Sequence, residues 1–219
     1  MSDDADAKPA EAAPAAATFD RAKWIVFAVV GVLSLVADQA TKMWARAALP
    51  VSPKGCAIPE DLIARKCQGL AQPVIDGFWD WRLSMNPGSA FGFLAGQGAF
   101  ARWFFTLVGI AAVIGMVMML RKARSDQKVL HWALGLVIGG ALGNLIDRIV
   151  FGVVTDFVLW RYHTHEWPVF NVADVALVVG VGLMFIDIQK DNKRDKRKKK
   201  EARAERDAKA KAAGLVKDF

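Results

Sequence analysis

Charge is nearly absent from four long stretches of this 219-residue chain. Trp24–Ala37 (continuing amphipathically to about Trp44), Trp103–Leu120, Val129–Ile146 and Trp167–Ile186 contain a single Asp, Glu, Lys or Arg outside the amphipathic extension, Asp174. Soluble helices keep a polar face, and Trp103–Leu120 has almost none, which excludes an ordinary soluble bundle. Each stretch is close to the roughly 20 apolar residues that a helix needs to cross a bilayer. Also missing from Met1–Asp20 are the basic and apolar regions of a cleaved signal peptide. Cysteine is scarce, with only Cys56 and Cys67, and there are three histidines. The fold class expected is all-α integral membrane, with four transmembrane helices and a small external β or irregular segment.

What is present sets the orientation. Arg121–Lys128 is short and basic, and Lys193-Arg194, Lys196-Arg197 and Lys198–Lys200 crowd the end of the chain. The positive-inside rule places both in the cytoplasm, together with the N-terminus. The expected organisation is a disordered cytoplasmic extension over 1–20, a four-helix membrane domain over 21–189 with an external segment over 46–100, and a basic cytoplasmic tail over 190–219. The nearest partner for that tail is the anionic leaflet. Nucleic acid is not expected as a partner, and the chain is expected to be a monomer.

Polar residues gather at the outward ends of the spans. Asp38 and Lys42 are one turn apart in the first. Phe78–Leu83 alternates as a strand does, and Asn86–Phe93 reads as a turn. Gly135, Gly139, Gly140 and Gly143 give the third span a face for close helix packing, which leads to Asn144, Asp147 and Arg148. Asp156 lies in the following connection, and Asn171 and Asp174 lie in the fourth apolar stretch. Ionisable groups at the edge of a membrane span are expensive and mark functional sites.

Five of these segments, taken together, resemble a known family: Asp38-Gln-x-Thr-Lys42, Asn86-x-Gly-x-Ala-Phe91, Gly139–Arg148, Gly152-x-Val-x-Asp-Phe157 and Phe170-Asn-x-Ala-Asp174. The chain resembles the bacterial lipoprotein signal peptidases (signal peptidase II) from roughly Trp24 to Asp187. The tails and a Val51–Ala71 insertion fall outside the likeness. The resemblance implies an inner-membrane aspartic endopeptidase acting on lipid-modified prolipoproteins, just before the lipidated cysteine, near the outer membrane face. It implies Asp156 and Asp174 as the catalytic pair and Asp38, Asn86, Asn144, Arg148 and Asn171 as substrate-binding residues. For Asp38, pairing with Lys42 is an equal alternative. For Asp147 a structural ion pair is expected.

Two carboxylates sharing one proton suit hydrolysis. The charged member takes a proton from water while the neutral one polarises the scissile carbonyl. No cofactor or metal is expected, since His163, His165 and Glu166 lack a further ligand cluster. Ser84 and Ser89 lack a lysine base within their motif. A proton- or ion-coupled transporter using Asp156, Asp174 and Arg148 as a relay is the alternative, although such proteins favour midplane sites and internal repeats. A non-catalytic scaffold is a third reading. Cys56 and Cys67 are expected to form a structural disulfide on the oxidising side of the membrane.

Overall fold

The computed structural model describes residues 20–88 and 98–212. The expected extension over residues 1–19, the part of the Asn86–Phe93 turn from residue 89 on, and Ser89 lie outside the described residues. Helices α1 (Arg21–Ala48), α3 (Gly98–Lys122), α4 (Lys128–Val150) and α5 (Val172–Ala212) are long and apolar enough to cross a membrane. The short α2 covers Glu60–Ile63.

The central helix is α4. In its most apolar window 67% of the residues are buried, against 28% or less in the other three spans, so those three flank it. The glycine face makes this possible. A Cβ on Gly139 would lie 2.6 Å from the Gly31 carbonyl oxygen of α1, and one on Gly140 would lie 2.6 Å from the Ala173 carbonyl oxygen of α5. Side chains there would force both neighbours away, because small residues are what let backbones meet in lipid.

Between α1 and α3 the chain forms β1 (Val51–Ser52), β2 (Gln68–Gly69), β3 (Gln72–Ile75) and β4 (Trp79–Asn86). After α4 come β5 (Val154–Tyr162) and β6 (His165–Glu166). β1 pairs with β2, and the order β3-β4-β5-β6 makes an antiparallel sheet. Ala45, Leu49, Leu62, Leu83 and Phe157 bury together and fix the sheet to the end of α1. Cys56 and Cys67 are joined by a disulfide with Cα atoms 6.4 Å apart, as expected.

The strand expected over Phe78–Leu83 is β4. Two features differ from the sequence reading. The connection that carries Asp156 is a strand, and the fourth span starts at Val172 rather than Trp167. Both have one cause. Trp167 N donates to Trp160 O (2.7 Å), and Phe170 exchanges backbone bonds with Val158 (2.8 and 3.0 Å), so the chain runs extended along β5 before it coils. At its far end α5 continues unbroken through the basic tail to Ala212, with i,i+4 pairs such as Lys209–Glu205 (2.7 Å). Arg124 pairs there with Asp191, and Asp126 with Arg194.

Candidate active site

At the sheet end of the bundle Asp38, Asn86, Asn144, Asp147, Arg148, Asp156, Asn171 and Asp174 come together from α1, β4, α4, β5 and the start of α5. A bulge in β4 lies next to the pairing position of Asp156. Trp81 pairs with Val158 and Ser84 with Asp156, so Arg82 and Leu83 both oppose Phe157. An extra residue bends a strand and redirects its side chains, a feature common beside functional sites.

Three asparagines hold the two carboxylates, and an obligate donor sets the direction of each amide. The Asn171 oxygen accepts from Asp174 N (3.0 Å), which turns its Nδ2 toward Asp156 Oδ1 (2.7 Å). The Asn86 oxygen accepts from Gly88 N (2.9 Å), and its Nδ2 donates to Asp156 Oδ2 (2.9 Å). The Asn144 oxygen accepts from Lys42 Nζ (2.8 Å), and its Nδ2 donates to Asp174 Oδ1 (2.9 Å). These three bonds reach three of the four carboxylate oxygens, and the fourth, Asp174 Oδ2, accepts from the Asn171 backbone N.

Asp174 also begins its own helix. Its Oδ2 accepts from Asn171 N (3.2 Å) while Asn171 accepts from Asp174 N, a reciprocal arrangement of the capping-box kind. A third orphan donor of that first turn, Ala173 N, is taken by Asp38 Oδ1 of α1 (2.9 Å). The two oxygens of Asp174 thus serve different partners, Oδ2 the helix start and Oδ1 the Asn144 amide.

Beneath this layer lies a buried charge network. Lys42 Nζ is 2.9 Å from Asp38 and 3.6 Å from Asp147, and none of the three has exposed side-chain surface. Asp147 also lies 3.6 Å from Arg46 and accepts from Thr155 N (2.8 Å), so the ion pair expected of it is present. Asp38 and Asn171 have no accessible surface, and their bonds run to other protein groups. Asn86, Arg148 and Asp174 are half-buried. The Arg148 guanidinium lies 5.4 Å above the Phe105 ring, and its charge acts on both Asp174 and Asp156.

Asp156 is 2% exposed. Burial, and next to it the charge of Asp174, push its carboxyl up to about 7 against the opposing hydrogen bonds from Asn86 and Asn171. A carboxyl with that pKa exchanges its proton near neutrality, as a general acid or base requires. Beside Asp174 opens an apolar groove of about 320 Å³, lined by Trp160, Trp167, Phe170, Val175 and Val178 among others. His163, His165 and Glu166 stand apart in the β5–β6 hairpin, where Glu166 pairs with Arg82 (2.9 Å). Sequence reasoning found the i,i+4 pair of Asp38 and Lys42 but not the reach of Lys42 to Asn144, nor the bonds of Thr155 and Arg46. A lysine inside an apolar span was the available signal.

The signal peptidase (SPase) II family model matches residues 30–190. The lipoprotein signal peptidase of Pseudomonas putida is 36% identical over 181 residues, spanning 82% of this chain and 94% of its own length. That of Polynucleobacter necessarius is 48% identical over 116 residues, 53% of this chain and 70% of its own. A bacterial membrane enzyme solved in meso at 2.3 Å resolution superposes with a TM-score of 0.61 at 27% identity, covering 80% of this chain and 91% of its own. With the fold and five ordered motifs in agreement, the chain belongs to the signal peptidase II family of bacterial membrane proteins.

Proposed function

We propose that this peptidase is an aspartic endopeptidase that removes signal peptides from diacylglyceryl-modified prolipoproteins, cutting immediately before the lipidated cysteine. The observation that carries the reading is the pair Asp156 and Asp174, each held by asparagine amides and bridged by Asn171 at the end of a membrane bundle. One proton is shared by the pair. The ionised carboxylate takes a proton from water, the neutral carboxyl donates to the scissile carbonyl, and the resulting hydroxide adds to the carbonyl carbon. When the tetrahedral gem-diol collapses, the C–N bond breaks, the newly protonated carboxyl protonates the departing amine, and the other carboxylate takes back a hydroxyl proton as the carbonyl re-forms. Proton count is restored at the end of the cycle.

Asn86, Asn144 and Arg148 are the residues proposed to meet substrate, since each has a donor at the carboxylate layer. Asp38 and Asn171 act as positioning residues, because their bonds fix the start of α5 and the Asp156 carboxylate. The apolar groove beside Asp174 suits acyl chains or the membrane-borne side of the substrate. The basic segments at the opposite end support a cytoplasmic location for that end, and the disulfide supports an oxidising environment for the site end. The relatives' shared name favours this reading over a proton relay.

The test is cleavage in vitro of one precursor with and without its diacylglyceryl group. The lipidated form should be cut before the cysteine and the unmodified form should be a poor substrate. Equal rates on the two would remove lipid recognition from the proposal.

A further inference from the structure

Two grooves of opposite character open at the sheet end of the molecule. The apolar one has Asp174 on its wall. The other, about 300 Å³, is walled on one side by Arg65, Gln68 and Gly69 of the Val51–Ala71 insertion, and on the other by Arg82, Ser84 and Met85 of β4. Ser84 is the register partner of Asp156 and Met85 that of Thr155. This polar groove therefore follows the strand that lies beside one member of the pair.

The insertion is built to hold a fixed wall. The Cys56–Cys67 bridge closes it, and Cys67 itself lines the groove. Asp61 accepts from Ala57 N through its carboxylate and from Lys66 N through its carbonyl, both at 2.8 Å. Gly69 meets β4 so closely that a Cβ would lie 2.0 Å from the Leu83 carbonyl oxygen. Arg65 takes φ +57°, a left-handed conformation that non-glycine residues adopt only where surroundings impose it. Its side chain is exposed. Arg82 uses part of its guanidinium on Glu166 and retains further N–H donors.

A peptide bond cut at a membrane surface joins an apolar segment to a polar one, and the two grooves match that asymmetry. We infer that the polar groove receives the substrate segment on the carboxyl side of the cut, and that Arg65 and Arg82 select an acidic side chain there. Arg65 and Arg82 both line this one polar groove, and a guanidinium fits a carboxylate, since planar paired donors recognise it best. This inference rests on the peptidase reading, but it draws on an insertion that none of the five motifs includes.

The experiment compares diacylglyceryl-modified precursors that differ at one of the first positions after the cysteine, carrying Asp, Asn or Lys, using the full chain in micelles free of anionic lipid. The Asp precursor should exceed the Asn precursor in kcat/KM by about tenfold, the worth of one charge-assisted hydrogen bond, with Lys lowest. Arg65→Gln should erase most of that preference and leave the Asn rate unchanged, while Arg65→Lys restores part of it. Equal wild-type rates on Asp and Asn precursors would overturn the subsite and leave the peptidase standing. A preference that survives both Arg65→Gln and Arg82→Gln would overturn the assignment to these residues. No cleavage of any precursor would remove both readings. If added phosphatidylglycerol accelerates both precursors alike and Arg65→Gln abolishes that response, the groove binds a lipid phosphate and the peptide assignment falls.

Discussion

The two ends of the helical bundle handle charge in opposite ways. At the sheet end Lys42, Asp38 and Asp147 have no exposed surface and are bound into a layer of committed amides. At the far end Arg124, Asp126, Asp191 and Arg194 pair in the open, with side chains 25–49% exposed. Their carboxyls respond accordingly. Asp126 is held below the ordinary carboxylate range, first by Arg194, whereas burial drives Asp156 up to about 7. Exposed pairs trade hydration for attraction at little net gain. Buried ones have lost hydration already, so removing one partner leaves an uncompensated charge. Residues of the same kinds thus pair in the open at one end and form a buried network at the other.

The sharpest way to break this contrast is at the pair itself. Asp156→Asn and Asp174→Asn should each lower cleavage by about a thousandfold or more, within the range of general acid–base catalysis. The folded protein should survive in detergent, because an amide still offers one acceptor oxygen to the donors around it. Single-turnover assays would check this, and near-wild-type turnover in either variant would take that carboxylate out of the mechanism.

Lys42→Met comes next. It strands Asp38 and Asp147 and frees the Asn144 amide to rotate, so thermal unfolding in detergent should reveal a loss of about 3–5 kcal/mol. A variant with unchanged melting would show that the buried network contributes little.

The pH dependence is expected to be smaller, near a factor of ten per unit. Asp156 is pushed up to about 7, so under the proposed mechanism kcat/KM should fall with an alkaline limb there, and the limb would belong to the pair as a whole. The sign for stability is the same. A carboxyl raised in the folded state contributes stability that is full below the ordinary carboxylate pKa and is lost as pH rises through about 7. Asp156→Asn should flatten that loss in a melting series across pH. A wild-type profile flat through neutrality would contradict it. The smallest effect belongs to the exposed end, where Arg124→Gln should leave both melting and turnover essentially unchanged.

Much of the architecture was legible because lipid imposes a coarse rule: long stretches without charge must span. Trp103–Leu120 needed no further argument. Val154–Tyr162 was harder, since a strand buried on both faces shows no alternation, and only β4 and the Phe170 segment reveal it. The expected start of α5 at Trp167 failed for a related reason. Hydropathy registers apolar residues but not the backbone bonds that keep 167–170 extended. In the site, motif order singled out Asp156 and Asp174 as candidates, yet the direction of the Asn144 amide depends on a donor far away in the chain. Lys42 and Asn144 are 102 positions apart, a distance that no local pattern encodes.

Asp38 reaches from α1 to cap Ala173, and it can do so only because residue 143 has no side chain. A Cβ at Gly143 would sit 2.2 Å from Asp38 Oδ2. These three positions, on three different helices, form one heritable unit. A lineage that gained a side chain at 143 would have to surrender the acid at 38, and the first turn of α5 would then need another acceptor. Substitutions at 38 and 143 should accordingly appear together in descendants or not at all. A library that randomises either position alone will recover little besides Asp and Gly, whereas joint randomisation opens alternatives.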